Sequence, residues 1–547
     1  MNLSLIRNKK LSESFVLLQL ILMKKIYSTL SSYEKKSLML TNLFFLWSSF
    51  DFIGWFKIWL GADGSQYSFY IKYFIEGSAS IGYEQGVHYF WFLSLIIRPL
   101  WLGAVTATFN FWDTWAYHLG VLFANTIIFL LLLNIAYFLF RKLFDNSWVS
   151  ILALWNFLLL TPVYYSRLLI KPDLLTILLF VILLYVLKEE KVFLDDNTKS
   201  YITFGIFFGF MLSTKFTISL VSVFILIAYL LIHNNSEYSF KKVIVFSLIT
   251  VICAGTLIMH SESITERYLW DTPRAEPYYE SAPLEYFTHF SFTETYHNPL
   301  RDNLKGSFIS IWLADFYGDY WEVYFLSKNS SLDLSDTKIF WARLCFIMSF
   351  FANLVYLASI IYKFKNRQIK YFDGALFSLC FLIAPLSLVM ITTVLEWFKS
   401  SEGDPTKTTY FGFLFIFFII SIFSFLDNTW NKSKYYTILF TIVLFITRLP
   451  FVFTNTLNPV ETFSMISDPL SSPIEAVIPY FDTRCIYTEE QAYNILENKN
   501  KNTGINTEVI TEYHSFSSDC SGMVFGSNYL GGQELKEGAT VVLMVSK

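Results

Sequence analysis

Charge is what this chain has least of. Only 16% of its 547 residues are Asp, Glu, Lys or Arg, against about 25% in soluble domains. With 54% hydrophobic residues and a mean hydropathy of +0.45, that deficit points to a polytopic membrane protein. A net charge of −3 supplies no basic surface for a nucleic acid, so no nucleic-acid partner is expected. Cysteine is scarce too. The five present form no CxxC and no Cys/His cluster with zinc spacing. Cys253, Cys345 and Cys380 lie in apolar stretches and read as packing residues. Cys485 and Cys520 lie in the polar tail, where they pair if it is extracytoplasmic and stay thiols if it is cytosolic. No internal repeat and no long low-complexity tract is present. Phe and Tyr are abundant (58 and 34), but Ile, Asn and Lys are also common, so coding bias accounts for part of that.

The apolar runs set the architecture. A helix needs about 20 apolar residues to cross a bilayer, which gives about eleven candidate spans. They are 38–60, 115–140, 147–166, 173–187, 201–214, 216–233, 241–260, 337–362, 374–396, 408–427 and 435–454. The run from His88 to Phe109 is interrupted by Arg98-Pro99 and reads as a re-entrant or membrane-surface helix. Lys and Arg gather in alternate loops: Arg141-Lys142, Lys188 with Lys191, Lys241-Lys242, the Lys363–Lys370 cluster, and Lys432 with Lys434. By the positive-inside rule that face is cytoplasmic. The other face then carries Asp63, Asp173, Lys215, the loops 61–114, 261–335 and 399–407, and everything after about 455. Residues 1–36 hold only a short apolar run, Phe15 to Met23, with no small-residue cleavage site, and read as an uncleaved cytoplasmic or interfacial segment. Beyond 455 the composition turns polar. Thr488 to Glu497 predicts a helix, and Glu508 to Thr511 and Ala539 to Val545 predict strands. The expected fold is an all-α polytopic domain over 37–454 with a small extracytoplasmic α/β domain over 455–547.

Ionisable residues near hydrocarbon are functional candidates by default, and they cluster in islands. Asp63 stands in Gly61-Ala62-Asp63-Gly64-Ser65-Gln66-Tyr67; an ordinary Asp-Gly turn is the plainer account. Asp51, deeper in the first span, is a weaker candidate. Arg167 and Lys171 precede Asp173, with Pro172 opening the next helix; a capping acid and two snorkelling bases explain the same pattern. Lys215 interrupts an apolar run, either as a turn between helices or as a cation for an anionic lipid headgroup. Lys407 to Tyr410 leads into a span, where a lysine and hydroxyls suit a phosphate or serve as an interfacial anchor. The loop 261–335 ends Ala314-Asp315-Phe316-Tyr317-Gly318-Asp319-Tyr320-Trp321. Acids interleaved with aromatics suit sugar binding, and suit a solvated loop equally well.

Taken in order, the islands resemble the GT-C superfamily of integral-membrane glycosyltransferases, which includes protein O-mannosyltransferases and lipid A aminoarabinose transferases. The matching stretches are Asp63 to Tyr67, Arg167 to Asp173, Gly205 and Gly209 leading to Ser213-Thr214-Lys215, and Lys407 to Tyr410. Departures are Asp63-Gly64 where many relatives have paired acids, and Glu84 to Tyr89 where many have a Pro-Pro or Pro-Leu step. The resemblance implies transfer of a sugar from a polyprenyl-phosphate donor to a lipid, glycan or protein acceptor. The enzyme would sit in the bacterial or archaeal plasma membrane with its site facing outward. It implies Asp63 as general base and Asp173 as a catalytic partner that orients the acceptor or holds a divalent cation (Mg or Mn). The donor phosphate would meet Arg167, Lys171, Lys215, Lys407 and Tyr410; the acceptor or sugar would meet Tyr67, His88, Asp315 and Asp319.

Two rivals draw on the same residues. A transporter or lipid-linked glycan flippase calls for pseudo-symmetric halves and charges at the midplane, which the one-sided islands do not supply. An O-antigen polymerase or ligase leans on arginines in a large outer loop.

Overall fold

The computed structural model describes residues 30–51, 71, 73–75, 87–104, 115–167, 170–188, 198–232, 240–265, 288–300, 307–318, 335–365, 412–452, 487–503, 506–514, 521–528 and 538–547. Helices dominate, as apolar sequence demands where backbone N–H and C=O must be satisfied without water. They are α1 (Ser32–Asp51), α2 (Val87–Ala104), α3 (Trp115–Leu143), α4 (Ser147–Leu158), α5 (Thr161–Ser166), α6 (Asp173–Lys188), α7 (Thr198–Leu212), α8 (Phe216–Ile232), α9 (Phe240–Thr265), α10 (Phe292–His297), α11 (Phe308–Tyr317), α12 (Ser335–Lys365), α13 (Phe415–Asn428) and α14 (Trp430–Val452). Three of them are long and apolar enough to cross a membrane: α3 over Leu119–Leu143, α9 over Lys241–His260 and α12 over Ile339–Lys363. The expected span 374–396 lies outside the described residues.

Two expected boundaries move. The run 147–166 breaks into α4 and α5, because Pro162 has no N–H to return to Leu158; the α4 end closes with Leu160 N–H bonded to the Phe157 carbonyl at 3.3 Å. Conversely, Arg98-Pro99 does not interrupt α2, which is continuous through Pro99. Its Leu93 and Ile97 are buried.

Polar contacts mark two ends of the bundle. At one, Arg141 Nε meets Glu34 Oε1 at 2.6 Å, and Tyr137 donates to the same oxygen at 3.2 Å. Just past Arg141 in the chain, Asp145 and Asn146 donate their backbone N–H groups to the Asp427 carboxylate (2.9 Å and 3.3 Å), tying the end of α13 to the loop before α4. The opposite end, reached where α1, α4, α7 and α14 finish, carries Arg167, Asp173, Lys215 and Arg448. Between the ends the core is aromatic, with Phe45, Phe129, Tyr137, Phe140, Phe157 and Tyr164 all buried.

Helices α7 and α9 touch through glycine. A Cβ on Gly209 would sit 2.7 Å from Cys253 Cβ and 2.8 Å from the Thr250 carbonyl oxygen; one on Gly205 would sit 3.0 Å from Ile249 Cγ2. Only a missing side chain allows that approach.

Near the C-terminus stand the few strands: β1 (Tyr487–Thr488), helix α15 (Glu489–Thr503), then β2 (Glu508–His514), β3 (Met523–Ser527) and β4 (Thr540–Ser546). The sheet order is β1-β3-β4-β2, with β2 and β4 parallel from Glu508↔Thr540 to His514↔Ser546 and the other pairs antiparallel. Ala492 and Leu496 of α15 pack on Val524, Val541, Leu543 and Val545, a core separate from the helical one.

Candidate active site

Pro172 fixes the start of α6 and places Asp173 in its first turn, where unpaired N–H groups favour a carboxylate. The Asp173 side chain is 1% exposed. Lys215 follows the α7 terminus, and its ammonium forms an ion pair with Asp173 Oδ1. Asp173 Oδ2 has no hydrogen-bond partner among the described residues. A buried carboxylate oxygen left open is costly, and such groups call for an explanation in function.

One residue before Lys215, the Thr214 hydroxyl donates to the Phe210 carbonyl at 2.9 Å and lies 2.8 Å from His88 Nε2. The His88 ring lies against Phe210, centroids 4.2 Å apart. Thus α2, α6 and α7 bring His88, Thr214, Lys215 and Asp173 to one end of the bundle, although they are spread over more than a hundred positions.

Arg167 faces inward. Its Nη1 donates to the Phe45 carbonyl at 3.3 Å and to Ser48 and Ser49 Oγ at 3.1 Å each, and Nη2 reaches Ser48 Oγ at 3.1 Å. The guanidinium stacks 4.0 Å from the Tyr164 ring and 5.1 Å from Phe129. Its carbonyl accepts from Asn125 Nδ2 at 3.0 Å, and Asn125 Oδ1 accepts from Tyr89 at 2.8 Å. The turn between α5 and α6 is therefore pinned to α1, α2 and α3 together. Lys171 is half-buried in that turn, and Asp315 is buried in α11. Asp63, Tyr67, Asp319, Lys407 and Tyr410 lie outside the described residues, as do Cys485 and Cys520; Asp51 ends α1.

Sequence reasoning passed over Arg448. It is fully buried in α14, donates from Nη1 to the Tyr317 carbonyl at 2.6 Å, and lies 5.8 Å from Tyr164 on its own account. Thr161 adds a 2.6 Å bond to the Gly318 carbonyl. Together they fasten the end of α11 to α5. An arginine inside an apolar run was the available signal.

The described donor set does not fit a divalent cation at Asp173. That carboxylate already holds an ammonium, and among the described residues no group of three His, Cys, Asp or Glu side chains gathers to bind a metal. Such ions take six or more oxygens, usually from several carboxylates.

Residues 100–260 match the family model described as Dolichyl-phosphate-mannose-protein mannosyltransferase, a family of GT-C-type membrane glycosyltransferases. The match takes in Arg167, Lys171, Asp173 and Lys215. No curated protein and no solved structure matches the chain.

Proposed function

We propose that this chain is a membrane glycosyltransferase that moves a sugar from a polyprenyl-phosphate donor to an acceptor at the extracytoplasmic face. The observation that carries this reading is the buried Lys215–Asp173 pair, with one carboxylate oxygen unpartnered among the described residues, inside the segment that matches the mannosyltransferase family model. An ammonium held at a helix junction is suited to a developing phosphate charge.

In this mechanism an acceptor hydroxyl attacks the anomeric carbon of the donor sugar. The bond from that carbon to the phosphate oxygen breaks, and its electron pair leaves with the lipid phosphate. Asp63 takes the hydroxyl proton as general base. Asp173 orients the acceptor through Oδ2, and Lys215, Lys171, Lys407 and Tyr410 meet the leaving phosphate. Tyr67, His88, Asp315 and Asp319 line the acceptor or sugar side. Arg167 serves by position, because its guanidinium bonds hold the turn that carries Asp173. The basic loops at the Arg141 end support a cytoplasmic assignment for that end, and hence an outward-facing site.

The test is Asp63→Asn in membranes supplied with radiolabelled polyprenyl-phosphate sugars, following lipid-phosphate release. Release should fall by about 10²–10⁴, the usual share of a general base, with expression unchanged. Undiminished release in the variant would remove Asp63 from the chemistry. If the unaltered protein released no lipid phosphate from any such donor, the transferase reading would fail.

A further inference from the structure

A cavity of about 400 Å³ lies where α1, α2 and α3 meet, lined by neither Lys215 nor Asp173. Leu46 closes it from α1, Ile96 and Pro99 from α2, and Leu119, Phe123 and Thr126 from α3. No charged residue among those described lines it, and Phe123 at its edge is 61% exposed, so the cavity opens sideways. Its volume falls within the range of small-ligand sites, about 300–1,000 Å³. An apolar cavity of this kind does not hold water, and α3 crosses the membrane, so the medium at the opening is lipid.

The second observation is Arg98. It lies between the two α2 residues that line the cavity, is exposed, and has no acidic partner among the described residues. The first turns of α3 fix its level. Pro99 lines the cavity together with α3 residues from Leu119 to Thr126. The apolar span of α3 begins at Leu119, so the cavity, and Arg98 next to Pro99 in the chain, lie near that end of the span. A cation near the end of a span, joined to a hydrocarbon-lined cavity, has the layout of an anionic lipid: headgroup on the one, chain in the other.

We infer that the α1–α2–α3 cavity is a seat for an anionic phospholipid, with one acyl chain inside it and the headgroup phosphate on Arg98. The occupant is a bilayer phospholipid rather than a glycosyl donor. No described residue of α6, α7 or α8 lines the cavity; Ser49 of α1, which does, takes a bond from Arg167 on its hydroxyl. The inference does not depend on the proposed reaction.

The experiment is native mass spectrometry of the full-length protein, delipidated in detergent and then titrated with phosphatidylglycerol or phosphatidylcholine of identical chains. Phosphatidylglycerol should bind about fivefold more tightly, the share of one arginine near an anionic headgroup. Arg98→Gln should erase that preference while leaving the weaker binding of phosphatidylcholine. Leu46→Trp, which fills the cavity from a half-buried position, should remove both. Equal binding of the two lipids, or a preference that survives Arg98→Gln, would overturn the proposal, and neither result depends on Leu46→Trp folding. One-for-one displacement of phosphatidylglycerol by polyprenyl phosphate would also overturn it, assigning the cavity to the donor lipid.

Discussion

Removing one member of the Lys215–Asp173 pair should be far worse than removing both. A buried ion pair broken on one side costs about 3–5 kcal/mol, because the remaining charge stays desolvated. The two single variants should not be equal. Lys215 keeps 15% of its side chain exposed and Asp173 only 1%. An ammonium left by Asp173→Leu therefore reaches some solvent and sits near the low end of that range. A carboxylate left by Lys215→Met is enclosed and sits near the high end. The double variant replaces the pair with apolar groups of similar length and should return to within about 1 kcal/mol of wild type, giving a coupling energy of several kcal/mol. Denaturant unfolding in detergent micelles, followed by tryptophan fluorescence, reads all four proteins. Lipid-phosphate release reads the same set, and the restored double variant should be inactive. Single variants as stable as wild type would show the pair to be solvated, and an active double variant would remove it from the site altogether.

Gly209→Ala should destabilise by about 1–3 kcal/mol, since its Cβ has no room beside Cys253 and Thr250. Gly255→Ala, on the same two-helix unit but with nothing within 4 Å, should be neutral or stabilising by up to about 1 kcal/mol; thermal unfolding of the two variants in parallel checks the contrast. Burial alone would push the Glu34 carboxyl up, but its bonds to the Ser31 hydroxyl and amide and to Arg141 outweigh that and hold it below its usual value. A lowered folded-state value means that this stabilisation is present above the unfolded-state value and is lost as pH falls through the folded one. Wild type should therefore lose its advantage over Glu34→Gln on acidification, and coincident pH–stability curves for the two would refute the assignment.

The apolar runs were legible because hydrophobic length is a one-dimensional property. The observed α3, α6 and α8 start where the sequence placed them and end within three residues, and the strands expected over Glu508 to Thr511 and Ala539 to Val545 overlap β2, which runs on to His514, and β4. The pieces of the site were legible only as separate charges. That Asp173 meets Lys215 depends on α7 returning to the end where α6 begins, which no local pattern encodes. Arg167 shows the opposite difficulty. Its position suggested a ligand for phosphate, yet Ser48 and Ser49, over a hundred residues earlier, turn it inward. Arg448 was hidden because an apolar run averages away a single charge. The break between α4 and α5 could have been read from Pro162 alone, whereas Pro99 carries the same signal and α2 continues through it.

The glycine seam between α7 and α9 also bears on the order in which the chain is built. Those helices lie about forty residues apart and meet backbone to backbone, needing nothing from the second half of the sequence. Domains form as units while the chain is still being synthesised, N-terminal parts first. The segment from Thr198 to Thr265 can therefore close on itself inside the membrane before α11, α13 or α14 has left the ribosome. Lys215 would then already be set at the junction of α7 and α8, awaiting no later helix to find Asp173.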